Sequence, residues 1–118
     1  DQLVRQIKNA WPNVFRTARF IPAVEYIQAN RLRNQLIEDM SVVFEQVDVY
    51  VHPSLASSSL RITNHTGHPC VVLPNGFRDG LPTSISFTGQ LFAEGEVLEV
   101  ARVFQETTEH HLQHPDLP

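Results

Sequence analysis

The chain of 118 residues is long enough for one domain, or part of one, that buries a core. Its hydrophobic fraction of 42% is typical of a globular protein and excludes a disordered one. Nine basic and thirteen acidic residues give a formal net charge of −4, and no cluster of lysines and arginines stands out. This balance argues against nucleic acid and anionic membrane surfaces as partners.

The sequence shows neither a signal peptide nor an apolar run of the roughly twenty residues that a membrane span needs. Its single cysteine, Cys70, has no partner for an internal disulfide, which fits a reducing, cytoplasmic location. The chain begins at Asp1 and its only methionine is Met40. We therefore expect a domain taken from a longer protein or a cleaved product, not a natural start.

The first twenty residues are interpreted as an N-terminal arm. Asp1–Ala10 is a short amphipathic segment. Trp11–Asn13 is expected to break it, because the residue before a proline is disfavoured in the α region. For Val14–Phe20 the sequence leaves two alternatives open, a helical turn or an irregular arm.

A long helix is predicted from Ala23 to about Gln46, with Pro22 as a good first helical residue. Its apolar stripe is expected to lie on a sheet, and it comprises Val24, Ile27, Leu32, Leu36, Met40, Val43 and Val47. Arg31 and Arg33 are assigned to the solvated face. A short strand, Asp48–His52, follows at once and is stopped by Pro53.

After a small-residue loop at Ser54–Ser59, a short helical piece is predicted within Leu60–Thr66. Cys70–Leu73 is an unbroken β-branched run, the pattern of a strand that is covered on both faces. Thr83–Thr88 alternates polar and apolar residues, the pattern of a half-buried strand. Turn signals at Pro74–Gly76 and Asp79–Gly80 predict an antiparallel pair with a long turn.

A second helix is predicted from Ala93 to about His110, with its stripe at Val97, Leu98, Val100, Ala101 and Phe104. Leu112–Pro118 is interpreted as a frayed tail. The predicted fold class is α/β, with a partial mixed sheet of about three strands and two main flanking helices. Residues 1–118 are treated as a single segment.

Several motifs occur in an order that is characteristic of one enzyme family. They are Tyr26–Arg31, Phe44–Val49, Thr66–Pro69, Pro74–Phe77, Asp79–Pro82 and the strand that ends at Gly89. Together they resemble the C-terminal part of the amidase signature hydrolases, over about residues 15 to 110. The resemblance implies a parent enzyme that hydrolyses carboxamide C–N bonds with a Ser-Ser-Lys triad in an upstream Gly/Ser-rich segment, without a metal or organic cofactor.

This resemblance implies a structural role for the chain, which would complete the sheet and one wall of the substrate cleft while being inactive alone. Its partner would be the remainder of an amidase chain or a second copy of itself, and the isolated chain is expected to be a homo-oligomer. The alternative function is a free-standing scaffold or interaction module derived from the amidase fold.

No catalytic residue is predicted within the chain. Ser57–Ser59 could suggest the two serines of the triad, but that chemistry needs a neutral lysine as proton relay and a glycine-rich backbone for the oxyanion. These serines have no flanking glycine, and the only lysine, Lys8, lies on an amphipathic segment.

No metal site is predicted either. His65, His68 and Cys70 are close in sequence, but a zinc site needs three or four ligands, and the Cys70 sulfur is expected in the core. The family commonly has alanine at Cys70 and a bulky apolar residue at His65, which favours local repacking. His110 and His114 are spaced for one helical face but are assigned to a solvated tail.

Thr66, His68 and Phe77 are the candidate cleft-wall residues, because the resemblance places the loops around this strand pair near the mouth of the substrate cleft. The alternative, which we favour at this point, is that Gly67 makes a tight approach to the strand and His68 is a packed turn residue.

Overall fold

The computed structural model describes residues 7, 10–55 and 57–115, and Ser57 by its backbone alone. The elements are α1 (Trp11–Ala18), α2 (Ala23–Phe44), β1 (Val49–Pro53), α3 (Ser57–Thr66), β2 (Cys70–Arg78), β3 (Leu81–Gly89), α4 (Glu94–Thr108) and a 3₁₀ turn (His110–Leu112). The chain divides into two compact units, Asp1–Leu32 and Arg33–Pro118. The second contains the whole sheet. Most of the predicted segment Asp1–Ala10 lies outside the described residues.

The three strands form one sheet in the order β1-β3-β2, and both pairings are antiparallel. This confirms the α/β class and the three strands. The parallel pairs of a mixed sheet do not occur among the described strands. Because β3 is central, each of its residues has a neighbour on both sides, and Thr88 lies between Tyr50 of β1 and Cys70 of β2.

The β2–β3 hairpin is longer than predicted, and its turn is confined to the second of the two predicted turn signals. Asp79 and Gly80 alone connect the strands, with φ of 54° and 78°, the positive pair that a two-residue type I′ turn requires. Pro74–Gly76, predicted as a turn, instead contains a β-bulge within β2. A bulge also uses a glycine at positive φ, here 127° at Gly76, so the local sequence resembles a turn.

The apolar core lies on one face of the sheet, beneath α4. Val97 and Ala101 of α4 are buried, as predicted, and so is Phe87 of β3. The rings of Phe87 and Phe104 have centroids 5.2 Å apart. Leu98 and Val100, which the predicted stripe included, are exposed. The buried stripe of α4 is therefore narrower than the sequence predicted.

The predicted stripe of α2 is largely exposed, which corrects the expectation that it covers a sheet. Only Met40 of that stripe is buried, and Phe44, which was not assigned to it, is buried in the last turn. There Phe44 lies 5.8 Å from Tyr50 of β1, measured between ring centroids. Contact with the sheet is thus made by the C-terminal end of α2.

Trp11–Asn13 begins α1, because Pro12 stands in the first turn, where a missing N–H removes no hydrogen bond. Ala10 before it is extended, and most of the segment that Trp11–Asn13 was expected to break lies outside the described residues. Three further predictions were wrong for local reasons. Ser57–Ser59 is not a loop but the start of α3. Cys70 is exposed, because β2 is an edge strand with few neighbours there. Val72, in the same strand, is 53% exposed, so β2 is not covered on both faces.

Within the residues that the structure describes, no helix has both the length and the apolar character needed to cross a bilayer.

Gly89 is a position where the packing of α4 on the sheet tolerates only glycine. A Cβ there would overlap Cγ2 of Val97 and lie 3.6 Å from the carbonyl oxygens of Ala93 and Asp48. We expect Gly89→Ala to lower the free energy of unfolding by about 1–3 kcal/mol, as overpacking does. Denaturant unfolding measures the change.

The matched control is Gly95→Ala in α4, where a Cβ would meet no atom within 4 Å. This variant should be neutral or slightly stabilising, by up to about 1 kcal/mol, because alanine is the better helix former. Equal destabilisation by both variants would contradict the proposed close contact. The double variant Gly89→Ala, Val97→Ala should lose less unfolding free energy than the sum of the losses in the two single variants.

Candidate functional site

On the face of the sheet opposite α4, the central strand carries polar side chains that are nevertheless buried. Ser86 and Thr88 of β3 flank Phe87, so their side chains point away from the α4 side. Their exposed fractions are 1% and 0%. Buried hydroxyl groups need hydrogen-bond partners, and these come from β1 and the segment after it.

His52 supplies the partner for Thr88 and is itself fully satisfied. Its Nδ1 lies 3.1 Å from the carbonyl oxygen of Pro53, and its Nε2 lies 3.0 Å from Oγ1 of Thr88. Since a carbonyl only accepts, Nδ1 carries the proton, and the Thr88 hydroxyl donates to Nε2. Beside this pair, the Ser86 hydroxyl donates to Oγ of Ser54 over 3.0 Å. We assign both pairs a structural role.

Four rings follow one another along the same face: His68, Phe44, Tyr50 and His52. We call them the ring column. Successive centroids are 5.0, 5.8 and 5.4 Å apart, and His68 stacks on Phe44 at an interplanar angle of 17°. Burial is the main cause that raises the pKa of Tyr50 above its ordinary value. The phenol therefore stays neutral at physiological pH.

His68 lies at one end of the ring column and is 6% exposed. Its Nδ1 is 2.7 Å from Oγ1 of Thr66, and the Thr66 hydroxyl donates to the carbonyl oxygen of Ile62 over 2.8 Å. Because that hydroxyl has already used its proton, it accepts from His68, so Nδ1 carries the imidazole proton. Nε2 is left with a free lone pair.

Gly67 sets the position of His68 at the end of α3. Its φ is +82°, and its N–H donates to the carbonyl oxygen of Thr63 over 2.9 Å, which ends the helix in a left-handed residue. A Cβ there would come no nearer than 3.9 Å to Leu91. The backbone conformation, not a tight approach to the strand, therefore accounts for the glycine.

The structure brings together two of the three candidate cleft-wall residues. Thr66 and His68 are hydrogen-bonded to each other, whereas Phe77 pairs with Pro82 near the hairpin turn and is 38% exposed. With about 3.3 Å per strand residue, Phe77 lies roughly 20 Å along β2 from the His68 end.

The other residues considered from the sequence do not come together. Ser58 and His65 are exposed on α3. His110 is in the 3₁₀ turn and His114 lies beyond it, so they do not share a helical face. Among the described residues, no group of three histidine, cysteine, aspartate or glutamate side chains is arranged to hold a metal ion.

The sequence did not reveal the hydrogen bonds of His52 and Thr88, because these residues are 36 positions apart. The available signal was the alternation of Thr83–Thr88 and of Tyr50 and His52, which places polar side chains on one face of each strand. That pattern predicts a solvated face, whereas His52, Ser86 and Thr88 on this face are buried.

Burial lowers the pKa of His68 below its ordinary value of 6.5, because the charged imidazolium loses solvation. The unfolded chain then binds the proton more tightly than the folded protein, so stability rises with pH in this window. This contribution is present above pH 6.5 and is lost as the pH falls through the folded-state pKa. We expect His68→Gln to flatten the dependence of unfolding free energy on pH just below 6.5.

Thermal or denaturant unfolding at a series of pH values tests this expectation. His65→Gln is the matched control, because it removes an exposed histidine of α3 and leaves the surroundings of His68 intact. If the wild-type chain and His68→Gln showed the same pH slope, the desolvation of His68 would not contribute to stability.

Comparison with known proteins identifies relatives that include the A subunit of glutamyl-tRNA(Gln) amidotransferase in several bacteria. No family model matches the chain. The relative from Bacillus velezensis is 32% identical in an alignment of 111 residues, and the match covers 78% of this chain and 23% of the relative. Its counterpart in Halalkalibacterium halodurans is 30% identical with the same coverage, and the one in Alcanivorax borkumensis is 29% identical over 76% of this chain.

The chain thus spans about a quarter of the length of the curated relatives that it matches. This partial coverage is consistent with the C-terminal segment that the motifs indicated. The similarity extends over most of the chain and confirms the resemblance drawn from the residues between Thr66 and Gly89. The chain belongs to the amidase signature family, as a segment of such a protein.

Proposed function

We propose that this chain is the C-terminal structural part of a cytoplasmic amidase that hydrolyses carboxamide C–N bonds, and that the Ser-Ser-Lys triad lies upstream of it. The observation that carries the proposal is the similarity to the glutamyl-tRNA(Gln) amidotransferase of Bacillus velezensis, over 78% of this chain and 23% of the relative. The named activity belongs to that relative, and the substrate of this protein is left open.

The chemistry of the family argues that the chain is inactive alone. A serine nucleophile of this kind needs a lysine that is held neutral and can accept its proton. The chain has one lysine, Lys8, in the N-terminal arm. The hydroxyls of Ser86 and Thr88 are 1% and 0% exposed, so a substrate cannot reach them as nucleophiles.

In this proposal the chain contributes a wall of the substrate cleft. Thr66 and His68 form one contact region at the end of α3, and Phe77 contributes separately near the hairpin turn. The remaining sequence of the amidase, or a second copy of this chain, is the proposed partner.

The exposed apolar surface supports the proposal of such a partner. In the first unit, Trp11 is 72% exposed and stacks on Phe15, with ring centroids 5.7 Å apart. In the sheet, the outer edges of β1 and β2 are unpaired among the described strands. Free strand edges and apolar patches both favour association with another chain. The same exposed surface also supports the second candidate function, a free-standing scaffold or interaction module.

The first test of the proposed function compares the isolated 118-residue chain with the product of the complete reading frame. A panel of simple carboxamides and anilides measures turnover, and a serine-reactive fluorophosphonate probe measures the nucleophile. We expect turnover and labelling from the longer protein alone. Turnover by the isolated chain that is abolished when Ser57–Ser59 are changed to alanine would overturn the proposal.

A second test addresses association. We expect the isolated chain to sediment as a dimer at micromolar concentrations, because apolar surface and two strand edges are uncovered. Sedimentation equilibrium across a wide concentration range measures the mass, and Phe15→Ser and Val72→Lys distinguish the apolar arm from the β2 edge. A monomeric mass at all concentrations, with a melt independent of concentration, would exclude self-association.

A further inference from the structure

We propose that His68 is a specificity-determining residue of the cleft, whose Nε2 accepts a hydrogen bond from the N–H of a carboxamide substrate. This inference rests on the proposed function, since it assigns a role to one residue of the cleft wall.

The first support is that the imidazole has one defined tautomer. Thr66 holds Nδ1 and has no second proton to offer, because its hydroxyl donates to the carbonyl oxygen of Ile62. An imidazole that donates through Nδ1 presents a lone pair at Nε2. This nitrogen can accept a hydrogen bond, and in the neutral ring it cannot donate one.

The second support is that Nε2 is unused and accessible. No described residue forms a hydrogen bond with it. Among the described residues, the side-chain nitrogens that are both fully buried and unpaired are Nδ1 of His110 and Nδ1 of His111, and Nε2 of His68 is not one of them. Nε2 of His68 therefore keeps contact with solvent although the ring as a whole is buried. The other buried histidine of the ring column differs, because both nitrogens of His52 are engaged.

The third support is that the acceptor is rigidly placed. Thr66 is fixed to α3, and the ring of His68 is stacked on Phe44, which is itself buried and packed against Tyr50. An acceptor whose direction is fixed in advance loses little conformational freedom on binding. A partly desolvated acceptor also forms a stronger hydrogen bond than one in bulk water.

The chemistry of the acceptor defines the class of ligand. Primary and secondary carboxamides have an N–H to donate, whereas tertiary amides and ionised carboxylates have none. A site that is built to hydrogen-bond an N–H rejects analogues that lack it, because a buried acceptor is then left unpaired. His68 would therefore favour the amide substrate over its carboxylate product.

The test uses the complete 118-residue chain with ¹⁵N-labelled histidine, well above pH 6.5 so that the ring is neutral. Long-range ¹H–¹⁵N spectra follow Nε2 of His68 during titration with benzamide and, separately, with N,N-dimethylbenzamide. We expect an upfield shift of Nε2 with benzamide only, and about threefold to tenfold weaker binding of the dimethyl compound, the range for one hydrogen bond.

Two variants separate this hydrogen bond from a steric preference. His68→Phe keeps a flat ring for stacking on Phe44 but removes the acceptor, and it should bind the two probes with equal affinity. His65→Gln, on the exposed surface of α3, should retain the wild-type preference. A preference for benzamide that persists in His68→Phe, or an Nε2 resonance that does not move with benzamide, would overturn the proposal. The hydrolysis assay tests the proposed function independently of His68. If the longer protein were active and Nε2 did not respond to benzamide, only the role of His68 would be rejected.

Discussion

The fold of the second unit depends on how the two faces of the central strand β3 are buried. One face is apolar and needs apolar cover, whereas the other is polar and needs hydrogen-bond partners. Phe87 lies between Ser86 and Thr88, and all three are almost completely removed from solvent. The apolar side is covered by Val97 and Ala101 of α4, at a distance so short that only glycine fits at position 89. The polar side cannot be covered in that way, because each buried hydroxyl requires a hydrogen-bond partner.

His52 and His68 have the same tautomer, but they differ in how many of their ring nitrogens are hydrogen-bonded within the fold. On β1, His52 is enclosed by a backbone carbonyl and the Thr88 hydroxyl, and its hydrogen-bonding capacity is used within the fold. His68, at the end of α3, has one nitrogen fixed by Thr66 and the other unpaired. The difference follows from where each threonine hydroxyl donates its proton. Thr88 donates to Nε2 of His52, whereas Thr66 donates to the carbonyl oxygen of Ile62 and can only accept from His68.

The sequence predicted those features that follow from local periodicity. The alternation in Thr83–Thr88 and the stripe around Val97 and Ala101 located the central strand and the helix above it. The turn was predicted too long because Pro74–Gly76 and Asp79–Gly80 are both good turn signals, and only the pairing register across the hairpin decides between a bulge and a turn. Cys70 was assigned to the core because its strand is apolar, yet position at a sheet edge is a property of topology. Of the candidate site, the pair Thr66 and His68 was found from the family resemblance. Their hydrogen bond and the ring column depend on contacts between distant segments, which a single sequence does not show.

The surroundings of His68 also distinguish recognition from proton transfer. A histidine that acts as general base is usually oriented by a carboxylate, which stabilises the imidazolium as it forms. Here the orienting group is the uncharged hydroxyl of Thr66, and burial lowers the pKa of the ring. Burial disfavours the protonated form, and the hydroxyl supplies no negative charge to offset this, so the ring stays neutral at physiological pH and can accept a hydrogen bond through Nε2. A group with these properties suits the proposed role of orienting an amide, in which the nucleophile and its proton relay would come from other sequence.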